Sequence, residues 1–294
     1  MDKNIYERKI RPGIIAARAL IYSVTTIVIA LVVIIIVYLI KKGLPYINWE
    51  FLSKAPSRLN ETYGIAPMII NTLYIVFITL IISIPLGIGT ALYLAEYARP
   101  GKIISIFRYS IEILAGIPSI VYGLFGLAFF VNTLKLGSSS GSMIAGSLTC
   151  ALIVLPTMIR TTEEALLQVD STYREAAFSL GASKFYIIRT ILLPCALPGI
   201  VVAMILSIGR IVSESAALLY TAGVDYIMPT NAVKHVTESG ASLTVQLYLY
   251  ATEGSSPDWV PYAMAAILMI LVFLINLTAN IIASIFQKKV SAKS

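Results

Sequence analysis

Two ionisable residues, Arg210 and Glu214, stand four apart in a stretch that is otherwise apolar. On a continuous helix that spacing puts both on one face, where a guanidinium and a carboxylate can pair. In the middle of a bilayer each charge costs about 2.5–3.5 kcal/mol on insertion scales, so such groups face inward, pair, or line a path. A guanidinium is a planar fork of donors that matches the oxygens of a tetrahedral anion. Two readings follow. The pair fixes helix register, or Arg210 attracts an anion while Glu214 holds it in position or releases it by exchange. The chain offers little other chemistry. Cys150 and Cys195 are too few for a disulfide framework or a zinc site and read as small apolar residues. His235 is a lone histidine and suggests no metal site. The only Gly-Lys pair, Gly101-Lys102, is followed by Ile103, and Glu96 stands where a phosphate-binding loop needs glycine. No ATP or magnesium site and no catalytic group is therefore expected on this chain.

The elements that must position these residues are membrane helices. The chain has 294 residues, 58% hydrophobic and only 13% charged, with mean hydropathy +0.86. A soluble domain carries about 25% charged residues, so this chain cannot cover a water-soluble surface, nor is it disordered. The net charge of +7 does not indicate nucleic acid, because no basic run or aromatic-interleaved stripe accompanies it.

Stretches free of Asp, Glu, Lys and Arg cover residues 19–40, 62–95, 113–134, 136–159, 190–209 and 259–287. Each is long enough to cross about 30 Å of hydrocarbon. Six spans are expected, all α-helical, since the runs are continuous rather than alternating. Gly137–Ser142 reads as a loop, so the fourth helix starts near Met143. Pro85 and Gly87 suggest a kink in the second helix, which continues past the membrane. The fifth is expected to run on through Arg210 and Glu214 to about Leu219. The run 19–40 exceeds the 7–15 residues of a signal core and reads as a retained first helix.

Even numbers of spans place both ends of the chain on one side. The loops on that side carry fifteen basic residues and those on the other carry six, with Arg210 in neither group. The positive-inside rule puts both termini in the cytoplasm. The division expected is a cytoplasmic segment 1–18, a first helix 19–40, a transmembrane domain 62–287 containing a cytoplasmic loop 160–192, and a tail 288–294.

That loop reads Glu175-Ala176-Ala177, then Gly181, Ile191 and Leu193-Pro194, an EAA-x3-G-x9-I-x-LP pattern. It resembles the EAA motif of ABC importer permeases at every defining position. Asp170 or Ser171 is suited to cap a helix over 172–180, and Gly181 suits the turn that follows. A second short helix over 183–192 is expected before Pro194. The resemblance implies that the two helices dock into a cytoplasmic ATPase and pass on its movements.

Further segments resemble the PstA-type permeases of phosphate-specific ABC transporters. They are Gly116-Ile117-Pro118-Ser119-Ile120-Val121-Tyr122-Gly123-Leu124-Phe125-Gly126, Asn71-Thr72-Leu73, Pro85-Leu86-Gly87-Ile88, Tyr93-Leu94-Ala95-Glu96-Tyr97, and the stretch around Arg210 and Glu214. Asn71 departs from the family's usual Gly, and Ser213–Ala217 keeps only the Glu of its GETAP. Pro118 breaks a helical hydrogen bond and the glycines allow close packing. Ser119, Tyr122 and Thr72 join Arg210 and Glu214 as candidate path residues.

The resemblance implies an all-α type I ABC importer permease in a bacterial or archaeal cytoplasmic membrane. It is half of a phosphate path, with a PstC-type second permease, two PstB-type ATP-binding subunits that use ATP and Mg, and an external PstS-type phosphate-binding protein. Uptake of another oxyanion or small solute, a passive channel or carrier, and a scaffold in phosphate sensing are the alternatives.

Overall fold

The computed structural model describes residues 12–57, 62–99 and 101–291. Most of the expected segment 1–18 and the end of the tail 288–294 lie outside them. The first helix, α1 (Pro12–Gly43), is apolar along its length and ends in Lys41 and Lys42. It stands clear of the other spans until its last turns, where Tyr38 meets Tyr262 edge to face at 5.9 Å. Lys42 Nζ lies 5.0 and 4.8 Å from the centres of those two rings.

Outside the membrane a short helix, α2 (Trp49–Ser53), capped by Asn48, leads to a two-stranded hairpin, β1 (Pro56–Ser57) with β2 (Thr62–Tyr63). The second span, α3 (Ala66–Leu92), contains Pro85 and widens into a π-helical turn over Tyr93–Tyr97. It thus continues past the apolar run, as its length suggested.

The third apolar run is not one helix. α4 (Lys102–Gly116) and α5 (Ser119–Gly126), the latter prolonged by a π-helical stretch Leu127–Thr133, meet at a bend of 97°. The break falls at Ile117-Pro118, where proline has no N–H to continue the ladder. Tyr122 secures it, because its hydroxyl donates to the Leu114 carbonyl at 2.8 Å, an acceptor that the break has freed. Charge holds α4 at the cytoplasmic end: Arg108 pairs with Glu163 at 2.7 Å, and Glu112 with Arg160 at 3.1 Å. Among the described residues five helices are long and apolar enough to cross a membrane, and the bent pair makes six when counted as one span.

The central helix is α6 (Met143–Leu167), capped by Ser142 after the expected Gly137–Ser142 loop. It runs eight residues beyond the charge-free stretch, so the cytoplasmic loop starts later than residue 160. Its polar residues are absorbed locally: Ser147 and Thr149 donate to carbonyls one turn back, and Thr79 of α3 donates to the Ser147 carbonyl at 3.2 Å. The first free N–H groups of α6 find acceptors in the external loop, Met143 on Glu238 and Ile144 on Val236.

After α6 come α7 (Ser171–Ser179) and α8 (Lys184–Ile187). The latter passes through a π-helical turn, Ile188–Leu192, directly into α9 (Leu193–Ser213). The expected separate helix 183–192 is in fact the cytoplasmic end of the fifth span. Pro194 and Pro198 fall within the continuous helix, and Pro194 sits at the widened junction, where its missing N–H costs least. α9 stops at Ser213 rather than near Leu219, and α10 (Ala216–Thr221) follows after a kink. The external segment holds α11 (Ala232–His235) and α12 (Leu243–Glu253), and α13 (Trp259–Ser291) is the last span.

Among the described residues three larger apolar clusters stack along the molecule, beside a small one of Phe130, Val131 and Ala145. An outer one joins Phe51, Met68 and Leu243 to Met264. A central one joins Ile75, Tyr122, Ile153, Ile211 and Leu218. An inner one joins Leu94, Ile111, Leu166 and Leu192.

Candidate functional site

Because α9 ends at Ser213, Arg210 and Glu214 do not share one helix face. Glu214 has extended backbone as the residue after the helix, and its Oε1 accepts from the Ala217 N–H at 3.1 Å, capping α10. Its side chain is buried. Arg210 occupies the last turn of α9, half-buried. The expected i,i+4 ion pair is not made, and among the described residues Arg210 has no carboxylate within salt-bridge distance. The break after Ser213 redirects the carboxylate and leaves a guanidinium with unused donors.

The other candidate path residues divide. Tyr122 packs in the central cluster with Ile211, Val212 and Ala217, which groups α5, α9 and α10 around one locus. Its hydroxyl already serves the bend, so it shapes this locus as much as it lines it. Ser119 is half-buried in the first turn of α5. Close packing holds the group together, since a Cβ on Gly123 would lie 2.8 Å from Ala217 Cα, tighter than real contacts allow. Thr72 is elsewhere. Its hydroxyl donates to the Met68 carbonyl at 2.7 Å and accepts from the Leu243 N–H at 2.9 Å. It joins α3 to the start of α12 and is buried.

Immediately before Thr72, Asn71 explains its own departure from glycine. Its Nδ2 donates to the Ala241 carbonyl at 3.0 Å, which turns Oδ1 toward His235 Nε2 at 2.7 Å. His235 is buried, and its Nδ1 faces Glu238 Oε2 at 3.1 Å. The lone histidine thus fastens the external segment to α3. Sequence reading had no pairing signal for residues 164 positions apart.

At the cytoplasmic end Asp170 caps α7, accepting from the Thr172 N–H at 2.9 Å and from its hydroxyl at 2.7 Å. Those two donors hold the Asp170 carboxyl below the usual carboxylate range. Gly181 has φ +78° and ends the helix, with its N–H on the Phe178 carbonyl and the Ala182 N–H on that of Ala177. Of the motif residues, Glu175 and Ala176 are exposed, whereas Ala177 is buried in the inner cluster. Ala177 therefore serves packing within the chain, and the surface open to a partner is Glu175, Ala176 and the neighbouring exposed Phe178, Leu180 and Phe185. Ile191, Leu193 and Pro194 are half-buried at the π-helical junction.

Residues 83–292 match the family described as binding-protein-dependent transport system inner membrane component. The chain is 34% identical over 278 residues to the probable ABC transporter permease protein YqgI of Bacillus subtilis (strain 168), covering 90% of this chain and 93% of that one. It is likewise 34% identical over 248 residues to the phosphate transport system permease protein PstA of Haemophilus influenzae, covering 84% of each. Its fold resembles that in the bacterial alginate ABC transporter, with TM-score 0.65, 17% identity, and coverage of 94% of this chain and 98% of that one. A chain of the MetNI methionine ABC transporter, seen in inward-facing form, gives TM-score 0.56 at 25% identity over 76% of this chain and 94% of its own. With its broken third span, its exposed EAA surface and these relatives, the chain belongs to the binding-protein-dependent transport system inner membrane component family and has the type I ABC importer permease fold.

Proposed function

We propose that this chain is the transmembrane permease subunit of an ATP-driven importer of inorganic phosphate. The observation that carries the reading is Arg210, a half-buried guanidinium at the end of a membrane helix that has no carboxylate within salt-bridge distance among the described residues. An anion with tetrahedrally placed oxygens supplies the missing charge and accepts several of its donors. The relatives named as phosphate transport system permeases support phosphate over other oxyanions. The chain forms half of the path, and a second homologous permease forms the other half and adds the positive charge that one arginine lacks for a dianion.

Two ATP-binding subunits engage the surface of α7 and use ATP and Mg, while an external phosphate-binding protein delivers the ligand to the outer mouth. The assembly resides in a bacterial or archaeal cytoplasmic membrane. ATP binding and hydrolysis in the partners reorient the paired permeases as rigid bodies, and this chain performs no covalent step.

The test is uptake of labelled phosphate into proteoliposomes that carry the complete complex and its binding protein. ATP-dependent uptake that unlabelled sulfate does not compete is expected. Arg210→Gln should lower it by at least about tenfold, equivalent to ~1.4 kcal/mol. Uptake without ATP, competition by sulfate, or a fully active Arg210→Gln variant would overturn the assignment.

A further inference from the structure

At the inner end of the molecule, one carboxylate joins three elements that are distant in the sequence. Glu96 stands in the π-helical turn that ends α3. Its Oε1 accepts from Arg174 Nε at 3.0 Å, and Arg174 Nη2 also lies 3.0 Å from it. The pair is well removed from water, with the Arg174 and Glu96 side chains 20% and 10% exposed. Arg174 also donates to the Val169 and Leu166 carbonyls at 2.8 and 2.9 Å, acceptors that the end of α6 leaves free. From the far side of α7, Lys184 Nζ donates to the Glu96 backbone carbonyl and lies 4.5 Å from the Tyr97 ring centre. The Arg174 fork thus holds one carboxylate and two carbonyls through Nε, Nη1 and Nη2.

We infer that Glu96 is a positioning residue for coupling: through Arg174 it locks α7, and through Lys184 the start of α8, to the inner ends of α3 and α6, so that a push on α7 moves those spans as one body. The inference rests on the importer reading, in which a partner ATPase pushes α7. Apolar packing alone would not resist sliding of α7, because dispersion contacts are individually weak and non-directional. The planar guanidinium fork fixed on one carboxylate and two carbonyls sets both distance and orientation. A surface pair would add little of this sort, and this one is largely excluded from water. Glu96 lies immediately after a charge-free stretch and Arg174 immediately before Glu175, so one charge ends a span and the other opens the coupling surface.

The experiment uses the complete complex in proteoliposomes with the external binding protein. Wild-type complex must show binding-protein-stimulated ATP hydrolysis and phosphate uptake, and its failure to do so would count against the importer reading rather than against the clamp. With that control in place, Glu96→Gln should leave subunit assembly and basal hydrolysis unchanged while phosphate transported per ATP falls about fivefold to tenfold. Glu96→Asp should recover part of the loss. Arg174→Gln in the Glu96→Gln background should add less than it costs alone, because the bond to Glu96 is already lost and only those to the Val169 and Leu166 carbonyls remain to be removed.

Spin labels at Ser171→Cys on α7 and Tyr93→Cys on α3, in a Cys195→Ser background, give a readout that needs no clamp variant. Their separation should stay constant between the nucleotide-free and ATP-trapped states. A separation that changes by several ångströms in the wild-type clamp, a Glu96→Gln variant that couples normally, or additive losses in the double variant would each overturn the inference.

Discussion

Single side chains in this protein decide between structure and transport according to which of their donors and acceptors remain free. Thr72 has its hydroxyl occupied as both donor and acceptor, so its place near the outer end is to join two helices. Asn71 does the same with its amide, binding Ala241 and His235. Replacing Asn71 by alanine strands the Ala241 carbonyl and the His235 Nε2–H, and a buried group left without a partner costs about 1–3 kcal/mol. Asn71→Ala should lower the thermal unfolding midpoint of the detergent-solubilised protein, and Asn71→Gly, the residue its family resemblance leads one to expect, should lower it at least as much. An unchanged midpoint would show that the contact is dispensable. Arg210 is the contrasting case, because its guanidinium has no carboxylate partner among the described residues, and this is why its substitution is expected to affect uptake rather than folding.

Breaks in helices carry much of the function at the scale of elements. The bend at Ile117-Pro118 is stabilised by Tyr122, and the stop after Ser213 is stabilised by Glu214, each a side chain that satisfies a backbone group freed by the break. Gly181 ends α7 in the left-handed region, with no heavy atom within 4 Å of where a Cβ would lie. The cost of substitution there is conformational rather than steric, about 1–2 kcal/mol for a residue with a Cβ and less for asparagine. Amide hydrogen exchange across residues 171–192 should therefore quicken in Gly181→Ala and stay closer to wild type in Gly181→Asn. Equal exchange in the two variants would refute the argument from φ. Asp170 adds a pH dependence to the same helix. Its carboxyl is held low in the folded state, so the cap is fully present above the ordinary aspartate range and is lost as pH falls through the lowered value.

Apolar clusters stack along the molecule, α6 contributing to the central and inner ones, with ionic and hydrogen-bonded fastenings at the two ends. The outer fastening is Asn71 with His235, and the inner ones are Arg108 with Glu163 and Glu96 with Arg174. Mid-membrane contacts are mostly apolar or backbone-directed, which suits a body that must move without tearing buried ion pairs. The excess of basic residues on one side predicts its orientation. In a Cys195→Ser background, where Cys150 is buried, a membrane-impermeant maleimide on intact cells should label Ser139→Cys and spare Ser179→Cys until the cells are opened. The reverse labelling would invert the assigned topology.

Sequence alone determined the membrane class, the apolar runs that supply the spans, and the presence of the EAA pattern. Those properties depend on local composition and on spacing along one chain, since hydrocarbon forbids both charge and unsatisfied backbone over lengths that can be counted. Arg210 was legible for the same reason, as a charge where charge is costly. Tertiary structure decided where helices stop and which polar groups meet. Charge-free length did not reveal that the third span is bent, that the fifth ends at Ser213, or that Ile188–Leu192 joins α8 to α9 without a turn. Those outcomes depend on whether a freed carbonyl or N–H finds a partner, as Leu114 finds Tyr122 and Ala217 finds Glu214. The same holds for Glu96 and Arg174, 78 positions apart, whose pairing only the packing of α3, α6 and α7 brings about.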